Sequence, residues 1–224
     1  MICVIIAIVL QPLREEFDKK RDPTEIPRWS DFISNIKDVL SQGQRREMAI
    51  AAFSFVGMQS VYTNFTITYL YEDLGFSLGE AGEILGFATL LAIPARILWG
   101  WVGSTIFQPR VLLAFLALVM AVSTALMGAF DDQWGHVAVL IVNCAISLSV
   151  LSWHGVLLSE AARLAPAGEA GRLTGGVLAF GALGQIIFPM IFAVGYWLSG
   201  YGLAFTVISL PAAMVGVIFL LWRR

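Results

Sequence analysis

Polar side chains recur at helical spacing inside three strongly apolar stretches of this sequence. In the first two stretches they fall four residues apart, which places them on one face of a helix. The candidate binding residues are Gln59, Tyr62 and Thr63 in the first stretch, Asn143 and Ser147 in the second, and Gln185 in the third. Their amides and hydroxyls can hydrogen-bond a polar solute. Such groups also bond back to their own helix or join neighbouring helices, so packing and solute binding both stay open.

Two basic side chains lie in apolar surroundings as well. His154 follows Asn143 by eleven residues, close to the same helical face, and can carry a proton, donate to a solute or lie at the membrane interface. Arg96 stands in the run "LLAIPARILWGWVGS". Because a charge is costly in hydrocarbon, such residues normally face other helices or a watery cavity. No embedded carboxylate completes a proton relay, since Glu83 and Glu160 lie at the ends of apolar stretches.

The composition requires a membrane environment. The chain has 224 residues, of which 58% are hydrophobic and 13% charged, more apolar material than a soluble domain can bury. A net charge of -2 offers no basic surface for nucleic acid. Cys3 and Cys144 are not in paired spacings, so neither a disulfide framework nor a zinc site is indicated. We expect no cofactor and no metal, and the lipid bilayer as a partner.

Six apolar segments are long enough to cross the roughly 30 Å hydrocarbon layer as helices. They cover residues 49–70, 81–103, 111–130, 137–159, 173–198 and 203–222. A shorter run, 1–10, lacks the basic start and cleavage site of a signal peptide and is interpreted as the end of a truncated transmembrane helix. The predicted fold is an all-α membrane protein, with a six-transmembrane-helix bundle over 49–222 and that partial helix before it.

The loop charges predict an orientation. All fourteen basic residues fall in loop 11–48, in or beside alternate short loops, or at the C-terminus. Since lysine and arginine collect in cytoplasmic loops, loop 11–48 and the C-terminus are predicted to be cytoplasmic, and we expect a bacterial inner (plasma) membrane. Within this loop, apolar residues at helical spacing behind Ser30 predict a surface amphipathic helix with Ser30 as its N-cap; a solvated linker is the alternative. These apolar residues are Trp29, Phe32, Ile33, Ile36 and Leu40.

A pattern of the form Gly-x7-Pro-x5-Gly occurs twice, 95 residues apart. The first copy is Gly86, Pro94 and Gly100, and the second is Gly181, Pro189 and Gly195. The two spans run in opposite directions, so the pattern predicts two inverted three-helix repeats, as in many secondary transporters. The frequency of glycine and proline in membrane helices is the alternative explanation.

Two segments carry a family resemblance. The segment "ARILWGWVGSTIFQPRVLL" resembles the loop signature between the second and third helices of each half of the major facilitator superfamily. Gly100, Gly103 and Arg110 match that signature, whereas Ser104 and Thr105 stand where it prefers aspartate and arginine. The segment "SWHGVLLSEAARLAPAGEAGRLTGGVLAFGALGQIIFPMIF" is similar to the tenth and eleventh helices of bacterial members. The resemblance extends from the end of helix six through helix twelve.

The resemblance implies secondary active transport of a small solute by alternating access, with this chain as the C-terminal half. It further implies a partner, the N-terminal six-helix half, and a coupling proton is an additional option. The implied gating or coupling residues are Arg96, Gly100, Arg110 and His154. The low charge among the candidate cavity residues favours a neutral or zwitterionic solute, or a monoanion that binds Arg96 or His154. An integral membrane binding or scaffold protein and a membrane enzyme are the alternatives; without a catalytic constellation, we expect no enzyme.

Overall fold

The computed structural model describes residues 29–131 and 133–221, and this part of the chain contains helices but no strand. The predicted partial helix 1–10 lies outside it. The helices are α1 (Trp29–Ser41), α2 (Gly43–Glu72), α3 (Leu78–Thr105), α4 (Pro109–Met127), α5 (His136–Val150) and α6 (His154–Arg163), followed by the helical stretch Ala170–Leu221. This stretch breaks at Ser199 and Gly200, where Gly200 has φ +77°, and glycine tolerates that conformation. We name its two parts α7 (170–198) and α8 (201–221).

Four helical stretches are long and apolar enough to cross a membrane. They are Leu78–Thr105, Pro109–Met127, His136–Arg163 and Ala170–Leu221. The last holds two of the predicted spans, on either side of its break. The predicted span 49–70 lies in α2, which has 30 residues but is too polar to join the four, so that span stays a prediction. The all-helical membrane fold is confirmed.

Local sequence fixes several helix ends. Ser77 and Glu80 form a reciprocal capping box at the start of α3: the Glu80 amide donates to the Ser77 hydroxyl at 3.3 Å, and the Ser77 amide donates to Glu80 Oε2 at 2.9 Å. Pro109 occupies the first turn of α4, where its missing N–H leaves no bond unmade. These caps set the point at which each apolar helix begins.

Small residues allow the helices to pack closely. On α7, a Cβ added to Gly184 would lie 2.0 Å from the Phe53 carbonyl oxygen of α2, so the two backbones are in contact there. On α8, Gly216 approaches Leu118 and the Ala114 carbonyl of α4 in the same way. Because lipid tails give no hydrophobic driving force between helices, close van der Waals packing at small residues stabilises the bundle.

The loops predicted to be cytoplasmic meet at one end of the bundle, which we call the basic end. Three contacts between these loops join it: Arg45 Nε to the Leu164 carbonyl at 3.3 Å, Arg110 Nη1 to Glu47 Oε2 at 2.5 Å, and Arg172 Nη2 to Asp38 Oδ2. The other loops meet at the opposite end. There Tyr201 donates to Glu72 at 3.3 Å, and the Phe76 ring packs on His136.

Helix α1 corrects one prediction. Ser30 lies in the first turn of α1 rather than before it, and its hydroxyl lies 3.4 Å from Asp31 Oδ1, so it is not an N-cap. The boundary between two compact units follows Ser34. Beyond it, the buried residue of α1 is Val39, outside the predicted apolar stripe, and it packs against Gly176 of α7. Asn35 donates to the Arg172 carbonyl at 2.7 Å. Residues 35–41 are therefore a docked helix rather than a solvated linker.

The glycines of the predicted repeat have unlike surroundings. A Cβ at Gly86 or Gly100 of α3 would meet nothing within 4 Å, whereas one at Gly181 or Gly195 of α7 would press on Val56 or Ala204. The repeated pattern therefore does not mark the same packing in its two copies, and the inverted repeat stays a prediction.

Candidate functional site

A cavity of about 330 Å³ opens between α2, α6 and α7. Four predicted residues line it, namely Gln59, Thr63, His154 and Gln185. The prediction omitted other lining residues, which are Val56, Ser60, Asn64, Leu178 and Ala182. Ser60 and Asn64 directly follow Gln59 and Thr63 in the sequence, and that adjacency is the signal that could have identified them. Thr63, Asn64 and Gln185 are exposed, so the cavity opens on their side.

Two polar atoms in this cavity are buried without a hydrogen-bond partner. They are Gln59 Oε1 on α2 and His154 Nδ1 on α6. Leaving such an atom unpaired costs about 1–3 kcal/mol. The amide orientation of a glutamine is assigned rather than observed, so Gln59 can offer either an acceptor or its NH₂ donors to a solute. Rotation of either side chain toward the cavity would bring its polar atoms within reach of a polar solute.

Local hydrogen bonds fix the rim of the cavity. Thr63 donates to the Gln59 carbonyl at 2.9 Å, and Asn64 donates to the Ser60 carbonyl at 2.7 Å. Ser60 donates to the Gln185 carbonyl at 3.3 Å. That carbonyl lies four residues before Pro189, whose missing amide leaves it free. The bond ties α2 to α7 at the level of the cavity.

The other predicted binding residues lie behind the cavity, in the interface between α2 and α5. The Tyr62 hydroxyl donates to the Asn143 carbonyl at 3.3 Å and is 3.3 Å from the Ser147 hydroxyl. Asn143 Nδ2 donates to the Val139 carbonyl of its own helix, and its Oδ1 is buried without a partner. Asn143 and Ser147 are both 0% exposed. The structure therefore does not bring these three side chains to the cavity lining.

Arg96 lies on α3 beside the interruption between α5 and α6. Its Nε donates to the Leu151 carbonyl at 2.8 Å, while the residue as a whole is exposed. Leu151 precedes His154 by three residues, so this bond places Arg96 near a residue of the cavity lining. Among the described residues no carboxylate lies within ion-pair distance of Arg96. The terminal guanidinium nitrogens therefore carry a positive charge that no acidic side chain in the described part of the chain neutralises.

In the structure, the polar residues of the loop signature do not bond to one another. Ser104 and Thr105 both donate to the Trp101 carbonyl of their own helix, at 2.9 and 2.7 Å. Arg110 instead takes its partner from α2: both it and Glu47 keep 20% side-chain exposure, and the Arg110 guanidinium lies 4.9 Å from the centre of the Phe219 ring. The ion pair at the basic end therefore joins α2, α4 and α8.

Gly100 and Gly103 of the signature differ as well. The Gly100 position is open, while a Cβ at Gly103 would lie 3.2 Å from Leu112 and 3.5 Å from Val156. Gly103 therefore permits close packing between α3, α4 and α6. Within 29–131 and 133–221, no cluster of three or more histidine, cysteine or acidic residues could hold a metal ion.

Comparison with known proteins adds to this geometry. The family model described as Major Facilitator Superfamily matches residues 1–189. Two curated proteins named "Probable nitrate/nitrite transporter NarK2", from two strains of Mycobacterium tuberculosis (CDC 1551 / Oshkosh and ATCC 25618 / H37Rv), are each 34% identical over 138 residues. The alignment covers 60% of this chain and 33% of each relative. The chain thus spans about a third of the length of the curated relatives it matches.

Proposed function

This chain belongs to the Major Facilitator Superfamily, and we propose that it is the C-terminal half of a secondary transporter that carries a small oxyanion of the nitrate or nitrite type. The observation that carries the proposal is the Arg96 guanidinium, which donates to the Leu151 carbonyl three residues before His154 of the cavity lining and pairs with no carboxylate of the described residues. The name of the two relatives supports the same class of substrate. The family is one of transporters, which speaks against the membrane enzyme.

Arg96 suits a planar oxyanion. Its Nε is occupied by the Leu151 carbonyl, which leaves the edge formed by Nη1 and Nη2 for the solute. A guanidinium presents two parallel N–H groups to an oxyanion and pairs with it more strongly than a neutral donor does. A charge retained in an apolar helix is by default a functional residue. We therefore assign Arg96 to anion contact, beyond the gating role expected from the sequence.

The remaining cavity residues complete the proposed site. Gln59 turns its NH₂ group toward the anion, and His154 donates to the anion from Nδ1 when that nitrogen carries a proton. His154 is the only titratable residue among those that line the cavity, so it is also the candidate carrier of a coupling proton. The Arg110–Glu47 ion pair joins helices at the basic end. We propose that this end faces the cytoplasm and that the membrane is a bacterial inner membrane.

The proposed transport cycle needs a second half. The rim residues Thr63, Asn64 and Gln185 are exposed, so one side of the cavity has no wall among residues 29–131 and 133–221. We propose that an N-terminal six-helix half supplies that wall and that the two halves rock about the site, which gives alternating access. The exposed apolar side chains of α3 and α7, such as Ile97 and Trp197, support a surface of this kind.

Nitrate uptake tests the proposal. The chain is expressed with an N-terminal half, and uptake of labelled nitrate is compared between the parent protein, Arg96→Gln and Arg96→Lys. Loss of a charge-assisted contact should lower uptake at least about tenfold in Arg96→Gln, and Arg96→Lys should retain part of it. Arg46→Gln, at the exposed surface of the basic end, is the matched control and should be unaffected. Unchanged uptake in Arg96→Gln, or no uptake of nitrate or nitrite by the parent, would overturn the proposal.

A further inference from the structure

The helix that carries His154 is interrupted inside the bundle, at Leu151–Trp153, with no proline or glycine in these three residues. The Ser152 amide reaches the Ser149 carbonyl at 3.5 Å, a three-residue step. The Leu148 carbonyl thereby loses the amide that an α-helix would give it. At membrane depth such an interruption is tolerated only where other groups satisfy the freed backbone atoms. The break must therefore be held from outside α5 and α6.

Helix α3 supplies the groups that hold it. Trp99 Nε1 donates to the Leu148 carbonyl at 2.8 Å, and Arg96 Nε donates to the Leu151 carbonyl at 2.8 Å. In the opposite direction, the Ser152 hydroxyl donates to the Ala92 carbonyl of α3 at 3.3 Å. Ser152 is 1% exposed, so solvent water cannot replace the Ala92 carbonyl as the hydrogen-bond partner of its hydroxyl. We call these three hydrogen bonds the clasp.

We propose that Trp99 and Ser152 are positioning residues, which hold the break against α3 and thereby fix the Arg96 guanidinium relative to His154, a residue of the cavity lining. The inference rests on the proposed function, because Arg96 is the proposed anion contact. Trp99 and Arg96 are three residues apart and therefore share a face of α3. Their two acceptors, the carbonyls of Leu148 and Leu151, are also three residues apart, at the end of α5 and in the break after it. The two hydrogen bonds therefore form in the same alignment of α3 against the break.

The clasp controls where the solute-binding edge of Arg96 points. With Nε held by Leu151, the guanidinium plane is fixed and only Nη1 and Nη2 remain for the anion. Without the Trp99 bond, the Leu148 carbonyl is left unpaired, and α5 and α6 can move relative to α3. Small misplacements of a binding group weaken binding even when the group itself is present. Loss of the clasp should therefore weaken anion binding more than it slows the transport step.

Kinetics of nitrate uptake test this in the complete transporter. Trp99→Phe keeps an aromatic ring but removes the N–H, and Ser152→Ala removes the hydroxyl. Each should raise KM for nitrate about fivefold, the factor for one neutral hydrogen bond, with Vmax per molecule nearly unchanged. Trp101→Phe and Ser159→Ala are matched controls, because Trp101 is exposed and Ser159 bonds only to the Val156 carbonyl of its own helix. Both controls should keep the parent KM.

A second measurement separates the clasp from the proposed function. Amide hydrogen exchange across 151–157 should be faster in Trp99→Phe than in the parent and unchanged in Trp101→Phe, whether or not nitrate is the substrate. If the parent does not transport nitrate, the proposed function fails and exchange still tests the clasp. Parent-like exchange in Trp99→Phe would overturn the clasp. In a transporter active on nitrate, an unchanged KM, or a fall in Vmax alone, would overturn the positioning role.

Discussion

Gln59 and Asn143 are both amides within apolar helices, but they have different surroundings. Gln59 lines the cavity with an unpaired Oε1, whereas Asn143 is 0% exposed and its side-chain amide bonds only within its own helix. An amide that meets solute should affect binding, and an amide sealed between helices should not. The unpaired Asn143 Oδ1 is instead a buried polar atom whose removal can be neutral or favourable.

This difference gives a prediction at the residue scale. Gln59→Ala should raise KM for nitrate about threefold to tenfold, through loss of a hydrogen bond to the anion, at unchanged protein level in the membrane. Asn143→Leu, which keeps the branching and the number of side-chain heavy atoms and removes the unpaired atom, should leave KM unchanged and shift the free energy of unfolding by no more than about 1 kcal/mol. Uptake kinetics and thermal unfolding in detergent measure both. Equal KM changes in the two variants would contradict the assignment of the cavity.

The predicted residues that line the cavity show how far helical spacing carries a prediction. Gln59 and Thr63 line the cavity because they are four residues apart on one unbroken helix. Asn143 and His154 do not share a surface, because the chain is interrupted between them and helical periodicity does not continue across a break. Neither proline nor glycine marks that break. Its partners, Arg96 and Trp99, lie more than 45 residues away in the sequence, so local patterns could not reveal it.

The glycines of α3 and α7 differ in how closely a neighbouring helix approaches them. Gly184 of α7 marks the point where α2 and α7 are in backbone contact. A Cβ at Gly184 would lie 2.0 Å from the Phe53 carbonyl oxygen, which is backbone and cannot move aside alone. Gly86 on α3 has nothing within 4 Å of the same position. The apolar spacing of the sequence predicted both helices, but it did not predict which glycine faces a neighbour.

Alanine substitutions test this packing. Gly184→Ala should destabilise the protein by about 1–3 kcal/mol, the usual effect of overpacking. Gly86→Ala is the matched control: it should be neutral or stabilising by up to about 1 kcal/mol, since alanine favours a helix over glycine. Thermal unfolding in detergent compares the two Tm values with that of the parent. A Gly184→Ala Tm equal to that of Gly86→Ala would show that α2 and α7 are not in backbone contact.

For the whole molecule, the separation of charge predicts its orientation. Arg45, Arg110 and Arg172 make contacts at the basic end, through loops that are far apart in the sequence. The sequence could predict that these loops share one side, because lysine and arginine collect in cytoplasmic loops. It could not predict which acids meet them. Glu47 pairs with Arg110 across 63 residues, and no pattern in either segment marks that pair.

Cysteine labelling tests the orientation of the whole molecule. In a background in which Cys3 and Cys144 are replaced by alanine, Ala167→Cys introduces a thiol in the loop after α6, and Ser199→Cys introduces one in the loop after α7; both positions are exposed. A membrane-impermeant maleimide added to intact cells should label Ser199→Cys and not Ala167→Cys, and inverted vesicles should give the reverse. Because α7 lies between these two loops, labelling of both from one side would mean that α7 does not cross the membrane. Labelling of Ala167→Cys alone from outside would invert the orientation and place the Arg110–Glu47 pair outside the cell.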